Sequence, residues 1–128
     1  MKKGFTMLEV MTGLFVLVVG LGGTLFLITQ TFWNISLIKN KLVAAYLIQE
    51  GIEKVRNQRD TNFIRGNDWI AGISSSTETI IINNKDFQRR IIVSQPDGDT
   101  LTVRCRVSWS EKRVSLSMET VANLKNWR

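Results

Sequence analysis

The sequence predicts an α+β protein with a long N-terminal α-helix, whose first half spans a membrane, and a small antiparallel β-sheet packed on the helix's outer half. Three patterns carry this prediction. An apolar stretch without any charge separates Glu9 from Lys39. Beyond that stretch, apolar residues recur every three or four positions, as on one face of a helix. Near the C-terminus, apolar and polar residues alternate, as in a half-buried strand.

The apolar stretch is long enough to cross a bilayer. Val10–Thr29 would form about 30 Å of helix at 1.5 Å per residue. Lys2 and Lys3 precede it, so the positive-inside rule places the N-terminus in the cytoplasm and the remainder outside. A secretory signal peptide cut near Gly20–Gly23 is the alternative. Against it, Glu9 interrupts the start of the apolar region, and the apolar run continues past the glycines.

The outer half of the helix should be amphipathic. Its apolar stripe consists of Phe32, Ile35, Ile38, Leu42, Ala45, Ile48, Ile52 and Val55. We predict one continuous helix from about Phe5 to about Asp60, without proline. Two helices that meet near Asn34 and Ser36 are the alternative.

A loop and a sheet should follow the helix. Residues 65–77 are rich in Gly, Asn, Asp and Ser, and we expect Trp69 to anchor this loop in the core. The predicted strands are Thr79–Asn83, Phe87–Ser94, Leu101–Trp109 and Val114–Met118, of which the last three form an antiparallel meander. Which side of the second strand is buried is open, because Arg89 shares a side with Ile91 and Arg90 shares the other side with Ile92. Residues 121–128 either extend the sheet edge or lie across it.

Composition argues against an enzyme. The chain has no histidine, which removes the commonest general base and zinc ligand. It has no catalytic Ser/His pair, no metal-spaced cluster and no phosphate loop, so we expect no cofactor and no metal. Asp97-Gly98-Asp99 offers too few oxygens for calcium and should be a hairpin turn. Cys105 is alone, so no internal disulfide forms, and we expect it to be buried.

A basic patch is predicted on the outer sheet face. The chain carries a net charge of +6. Arg104 and Arg106 should project together, and Lys112 and Arg113 follow in the next turn. These four residues would contact DNA or a polysaccharide. A merely solvated face is the alternative.

The first nine residues carry a more specific motif. A short basic head precedes Gly4, Phe5, Thr6, Leu8 and Glu9, all in register. This pattern resembles the prepilin leader of type IV pilins and of type II secretion pseudopilins. The segment 44–63, AAYLIQEGIEKVRNQRDTNF, is similar to a recurrent segment of minor type IV pilins.

The resemblance implies a processing and assembly route. A prepilin peptidase would cut after Gly4, and Phe5 would become the N-methylated first residue. Glu9 would pair with the terminal amine of a neighbouring subunit, since paired charges are far less costly in an apolar environment than isolated ones. Gly20, Gly22 and Gly23 would let the helix lose helicity as subunits pack, or would allow close helix packing. The lack of a C-terminal disulfide departs from many pilins.

The pilin-like fold thus divides into leader 1–4, transmembrane and assembly half-helix 5–31, amphipathic half-helix 32–62, loop 63–78 and sheet region 79–128. The expected function is a structural, minor subunit of a type IV pilus, a membrane-anchored prepilin that becomes part of an extracellular filament. Expected partners are other pilin subunits, the prepilin peptidase and an inner-membrane assembly platform. One alternative is a type II secretion pseudopilin. Another is a membrane-anchored module that binds DNA or polysaccharide through the basic sheet face.

Overall fold

One long helix precedes a four-stranded sheet in the computed structural model, which describes residues 4, 6–111 and 114–126, apart from the side chain of Trp33. The elements are α1 (Met7–Ile64), β1 (Ser76–Ile82), β2 (Lys85–Asp97), β3 (Thr100–Glu111) and β4 (Val114–Lys125). This confirms the predicted α+β class. The chain divides into two compact units, 1–38 and 39–128.

The first unit consists of the N-terminal part of α1. Thr6 caps it: the Glu9 amide donates to the Thr6 carbonyl at 3.0 Å and to the hydroxyl at 3.4 Å. A side-chain oxygen in this position satisfies an amide that has no partner within the helix. All described side chains from Thr6 to Phe32 are exposed. Among the described residues, α1 is the one helix that is long and apolar enough to cross a membrane.

The helix ends four residues later than predicted, at Ile64. The Gly66 amide donates to the Phe63 carbonyl at 3.1 Å, and the Asn67 amide donates to the Asn62 carbonyl at 3.0 Å. These two bonds form a Schellman motif, in which Gly66 adopts a φ of 68° that glycine tolerates best. Gly66 was therefore the sequence signal for the helix end.

The sheet is an antiparallel meander in the order β1-β2-β3-β4. Asn83 and Asn84, with φ values of 50° and 60°, form the tight turn between β1 and β2. Asp97 closes the next turn by accepting a hydrogen bond from the Asp99 amide at 3.1 Å, so the predicted hairpin turn is confirmed. Because β4 continues to Lys125, residues 121–125 extend the sheet edge, and the last two residues of the predicted segment lie outside the described part of the chain.

The core lies between the 39–64 part of α1 and the inner sheet face. Its buried apolar residues are Ala44, Leu47, Ile48, Ile52, Val55, Trp69, Phe87, Ile91, Leu101, Val103, Cys105, Val107, Trp109 and Leu124. The predictions for Trp69 and Cys105 are confirmed. The loop is fixed by Asn62, whose side-chain amide donates to the carbonyls of Trp69 at 3.2 Å and Ala71 at 2.8 Å.

The prediction of which helix residues form the buried apolar stripe was only partly correct. Ile48, Ile52 and Val55 are buried, but Leu42 and Ala45 are exposed. In their place the helix buries Ala44 and Leu47. The buried face is rotated because it includes Gly51, a position that an apolarity pattern does not register. Phe32, Ile35 and Ile38, the first members of the stripe, are exposed as well.

Candidate functional site

The N-terminal motif is described only in part. Phe5, the predicted N-methylated residue, lies outside the described residues, as do Lys2 and Lys3. Gly4 is exposed, and Glu9 lies exposed in the first turn of α1. A carboxylate there interacts favourably with the helix dipole. Among the residues that the structure describes, no cation pairs with Glu9, so within this part of the chain its charge is compensated only by the helix terminus.

The threonine hydroxyls of the apolar segment donate hydrogen bonds to backbone carbonyls of the same helix. Thr12 donates to the Glu9 carbonyl at 3.0 Å, and Thr24 donates to the Leu21 carbonyl at 2.8 Å. Thr29 and Thr31 bond in the same way one turn back, at 2.8 and 2.9 Å. Such bonds remove the cost of placing a hydroxyl in an apolar environment. The segment therefore offers few polar groups that require water.

The three glycines of the apolar segment lie in open space. A Cβ added at Gly20, Gly22 or Gly23 would meet no atom within 4 Å outside the local helix backbone. The helix is continuous through all three residues. Within the described part of the chain, no contact therefore requires glycine here, and loss of helicity on assembly and close packing of neighbouring helices both stay predictions.

The outer sheet face brings Arg104 and Arg106 together, as predicted. Both side chains are about half exposed, at 52% and 55%. Glu119 on β4 accepts from the Arg106 Nε at 2.6 Å and lies 3.6 Å from the Arg104 Nε. This carboxylate partly neutralises the predicted patch. Lys112 and Arg113 lie outside the described residues.

Sequence reasoning did not assign a third arginine of this face. Arg90 is the direct cross-strand partner of Arg106. It has no ion-pair partner within the described part of the chain. The alternation of β2 placed Arg89 and Arg90 on opposite sides, but it left open which of them faces out. The structure settles the side, since Arg89 is the buried one.

Arg89 is a buried arginine at the centre of an ionic cluster between helix and sheet, whose two carboxylates, Glu50 and Glu78, are partly exposed. Its side chain is only 1% exposed. One Nη donates to the Leu47 carbonyl at 2.8 Å and to Glu50 at 3.0 Å. The Nε donates to Glu78 at 2.7 Å, and the second Nη also pairs with Glu78. The guanidinium therefore connects α1 to β1 and β2.

The ionisation equilibria follow from this geometry. The hydrogen bond from Arg89 lowers the pKa of Glu50 below its ordinary value of 4.5, against a smaller opposing effect of burial. For Arg89, burial favours the neutral form, but the bonds to Glu78 and Glu50 outweigh it and raise the pKa. For Cys105, whose neutral form is the protonated thiol, burial raises the pKa. Cys105 is therefore an uncharged core residue rather than a reactive thiolate.

Gly51 allows the helix to approach the sheet at this cluster. A Cβ at this position would lie 2.9 Å from the Cys105 Sγ, 3.2 Å from the Arg89 Cδ and 3.3 Å from the Ile91 Cδ1. A second polar contact holds the helix about three turns closer to its N-terminus. There the side-chain amide of Asn40 donates to the buried Glu111 carboxylate at 2.5 Å, and the Lys85 ammonium group pairs with the same carboxylate.

The described residues contain no group of three or more His, Cys, Asp or Glu side chains placed to hold a metal ion. No protein-family model matches the chain, and no curated protein or solved structure is significantly similar to it. The candidate sites are therefore the N-terminal segment around Glu9 and the polar outer face of the sheet.

Proposed function

We propose that this chain is a structural, minor subunit of a type IV pilus, anchored in the membrane and assembled through its N-terminal helix. The observation that carries the proposal is Glu9. It is the only charged residue of α1 before Lys39, and it follows Gly4 and Phe5 in the register of a prepilin leader. A lone carboxylate at the start of a segment that could span a membrane is costly unless it has a partner.

Cleavage after Gly4 would create that partner. Hydrolysis of the bond between Gly4 and Phe5 releases residues 1–4 and leaves a cationic amine on Phe5, four residues before Glu9. When two such helices lie side by side with an axial offset, the amine of one subunit meets the carboxylate of the next. Each charge removes the desolvation cost of the other. The contact would therefore fix both the association and the axial position of subunits.

The exposed apolar surface of α1 supports the same proposal. All described side chains from Thr6 to Phe32 are exposed, and the three glycines leave part of the helix without side-chain bulk. Before assembly, lipid covers this surface. In a filament, other subunits replace the lipid, and small residues let helix backbones approach closely. An inner-membrane platform would carry out the transfer from a chain with its N-terminus in the cytoplasm.

The first experiment is mass spectrometry of the mature N-terminus from cells that contain a prepilin peptidase. The proposal expects a chain that begins with N-methylated Phe5. A chain that begins near Thr24 would instead identify a conventional signal peptide, and an uncut Met1 would identify a simple membrane anchor. Either result would exclude assembly through the Phe5 amine.

The second experiment tests Glu9 directly. Glu9→Ala and Glu9→Gln should still be cleaved but should be lost from sheared or purified filaments. Glu53→Gln is the matched control, because Glu53 is an exposed carboxylate on the same helix, outside the apolar segment, and pairs only locally with Arg56 among the described residues. Unchanged incorporation of Glu9→Ala would exclude the pairing. Detection of filaments at the cell surface rather than within the envelope would separate a pilus from a secretion pseudopilus.

A further inference from the structure

We propose that the outer face of the sheet carries a discrete binding site for one tetrahedral oxyanion, a phosphate or sulfate group. The strand register builds the site. Gln88, Ser108 and Ser117 form one row across β2, β3 and β4, and Arg90, Arg106 and Glu119 form the adjacent row. The proposal does not depend on filament assembly.

The short side chains of Ser108 and Ser117 in the first row leave a polar depression beside the arginines. It has a volume of about 240 Å³ and is lined by Gln88, Arg90, Arg106, Ser108, Ser115 and Ser117. Every lining residue carries at least one hydrogen-bond donor, and none of them is a carboxylate. Three serine hydroxyls and an amide thus surround a space that two guanidinium groups border.

The charges favour an anion in this space. Arg90 has no ion-pair partner among the described residues, so its guanidinium is available to a ligand. Arg106 is held by Glu119, a residue that does not line the depression. Glu119 therefore orients Arg106 and at the same time competes with a ligand for it. The planar guanidinium binds phosphate and sulfate oxygens through two parallel hydrogen bonds.

The arrangement fits a single anionic group better than the successive backbone phosphates of double-stranded DNA. Arg90 and Arg106 are direct cross-strand partners, with Cα atoms about 4.5–5.5 Å apart in such pairs, and both line the same depression. DNA binding instead depends on many separate phosphate contacts along a track. Here Glu119 stands in the continuation of the arginine row and would repel a second phosphate. Donors from several directions suit a tetrahedral anion with three or four oxygens.

The test is an NMR titration of the full chain in detergent micelles. Inorganic phosphate and, separately, sulfate are added at constant ionic strength while the arginine Nε–H signals are followed. The Arg90 and Arg106 signals should shift together and saturate. The Arg104 signal should shift little, because Arg104 lies on the same face but does not line the depression.

Three variants make the test specific. Arg90→Gln should weaken binding by about tenfold or more, as expected for a charge-assisted hydrogen bond. Arg104→Gln removes the same charge from the same sheet face and should change the affinity by less than about threefold once salt screens it. Glu119→Gln should strengthen binding, because it releases Arg106. Circular dichroism of each variant confirms that the fold persists.

Each outcome decides the proposal. Saturation with phosphate alone, with sulfate alone or with both supports the site and identifies the chemical source of the anion. Failure to saturate at tens of millimolar overturns it. An equal loss in Arg90→Gln and Arg104→Gln also overturns it, since that result describes diffuse attraction. Binding of heparin or duplex DNA without saturation by the small anions would likewise overturn a discrete site.

Discussion

Substitution of Gly51 tests the closest approach between helix and sheet. Within an ordinary helix, Gly→Ala stabilises by about 1 kcal/mol, because glycine loses more backbone entropy on folding. At this position, the added methyl group would lie 2.9 Å from the Cys105 Sγ and 3.2 Å from the Arg89 Cδ. Neither neighbour moves easily, since Cys105 is fully buried and Arg89 is held at its far end by two carboxylates.

The balance of the two effects gives the expected magnitude. Extra methyl groups in a packed core cost about 1–3 kcal/mol. With one contact below 3.0 Å and two more below 3.4 Å, we expect the upper part of that range, about 2–3 kcal/mol. After the helix-propensity gain of about 1 kcal/mol is subtracted, Gly51→Ala should destabilise the protein by about 1–2 kcal/mol.

The assay is denaturant unfolding of the full chain in micelles, followed by the fluorescence of the buried Trp69 and Trp109. Combining Gly51→Ala with Cys105→Ala removes the nearest clash, so the glycine substitution should then be neutral or stabilising. This double-mutant cycle separates packing from propensity. A stabilising effect of Gly51→Ala in the wild-type background would refute the packing argument.

Three further predictions concern the same domain. Because Arg89 lowers the pKa of Glu50, the folded state favours the ionised carboxylate. The resulting contribution to the free energy of unfolding is present above about pH 4.5 and disappears as the pH falls through the lower pKa of the folded state. The denaturant midpoint should therefore drop on acidification. Glu50→Gln should remove this part of the pH dependence of stability. Cys105 should react with iodoacetamide only on unfolding, and rapid labelling of the native chain would contradict its burial. Asn62→Ala leaves the Trp69 and Ala71 carbonyls without their donor and should lower the free energy of unfolding by about 1–3 kcal/mol. Hydrogen exchange of the backbone amides around Trp69 should become faster. Unchanged exchange would argue against this role of Asn62.

Local patterns were sufficient for the elements and for some buried positions. The alternation around Cys105 predicted its burial, and the polar loop around Trp69 predicted an anchor. These inferences succeed because one buried face imposes its period on the sequence. The helix end was missed by a few residues, although Gly66 carried the signal.

The polar part of the interface was not predictable in this way. Arg89 is buried because its partners come from other elements: Glu50 precedes it by 39 residues and Glu78 by 11. No local pattern reports such a pairing, and a charged residue alone suggests the surface. The pairing of Arg90 with Arg106 likewise depends on strand register, which hairpin geometry fixes only after folding.

The meander order also determines when this domain can complete its fold. Each strand pairs with its neighbour in sequence, so the hairpins can close one after another as the chain emerges. The helix face ending at Val55 is made first, however, and its last core partner is Leu124 on β4. At about 5–20 residues per second, the residues from Val55 to Leu124 take roughly 3–14 s to synthesise. During that interval the buried face of α1 lacks its full cover, and a ribosome that pauses before β4 prolongs its exposure.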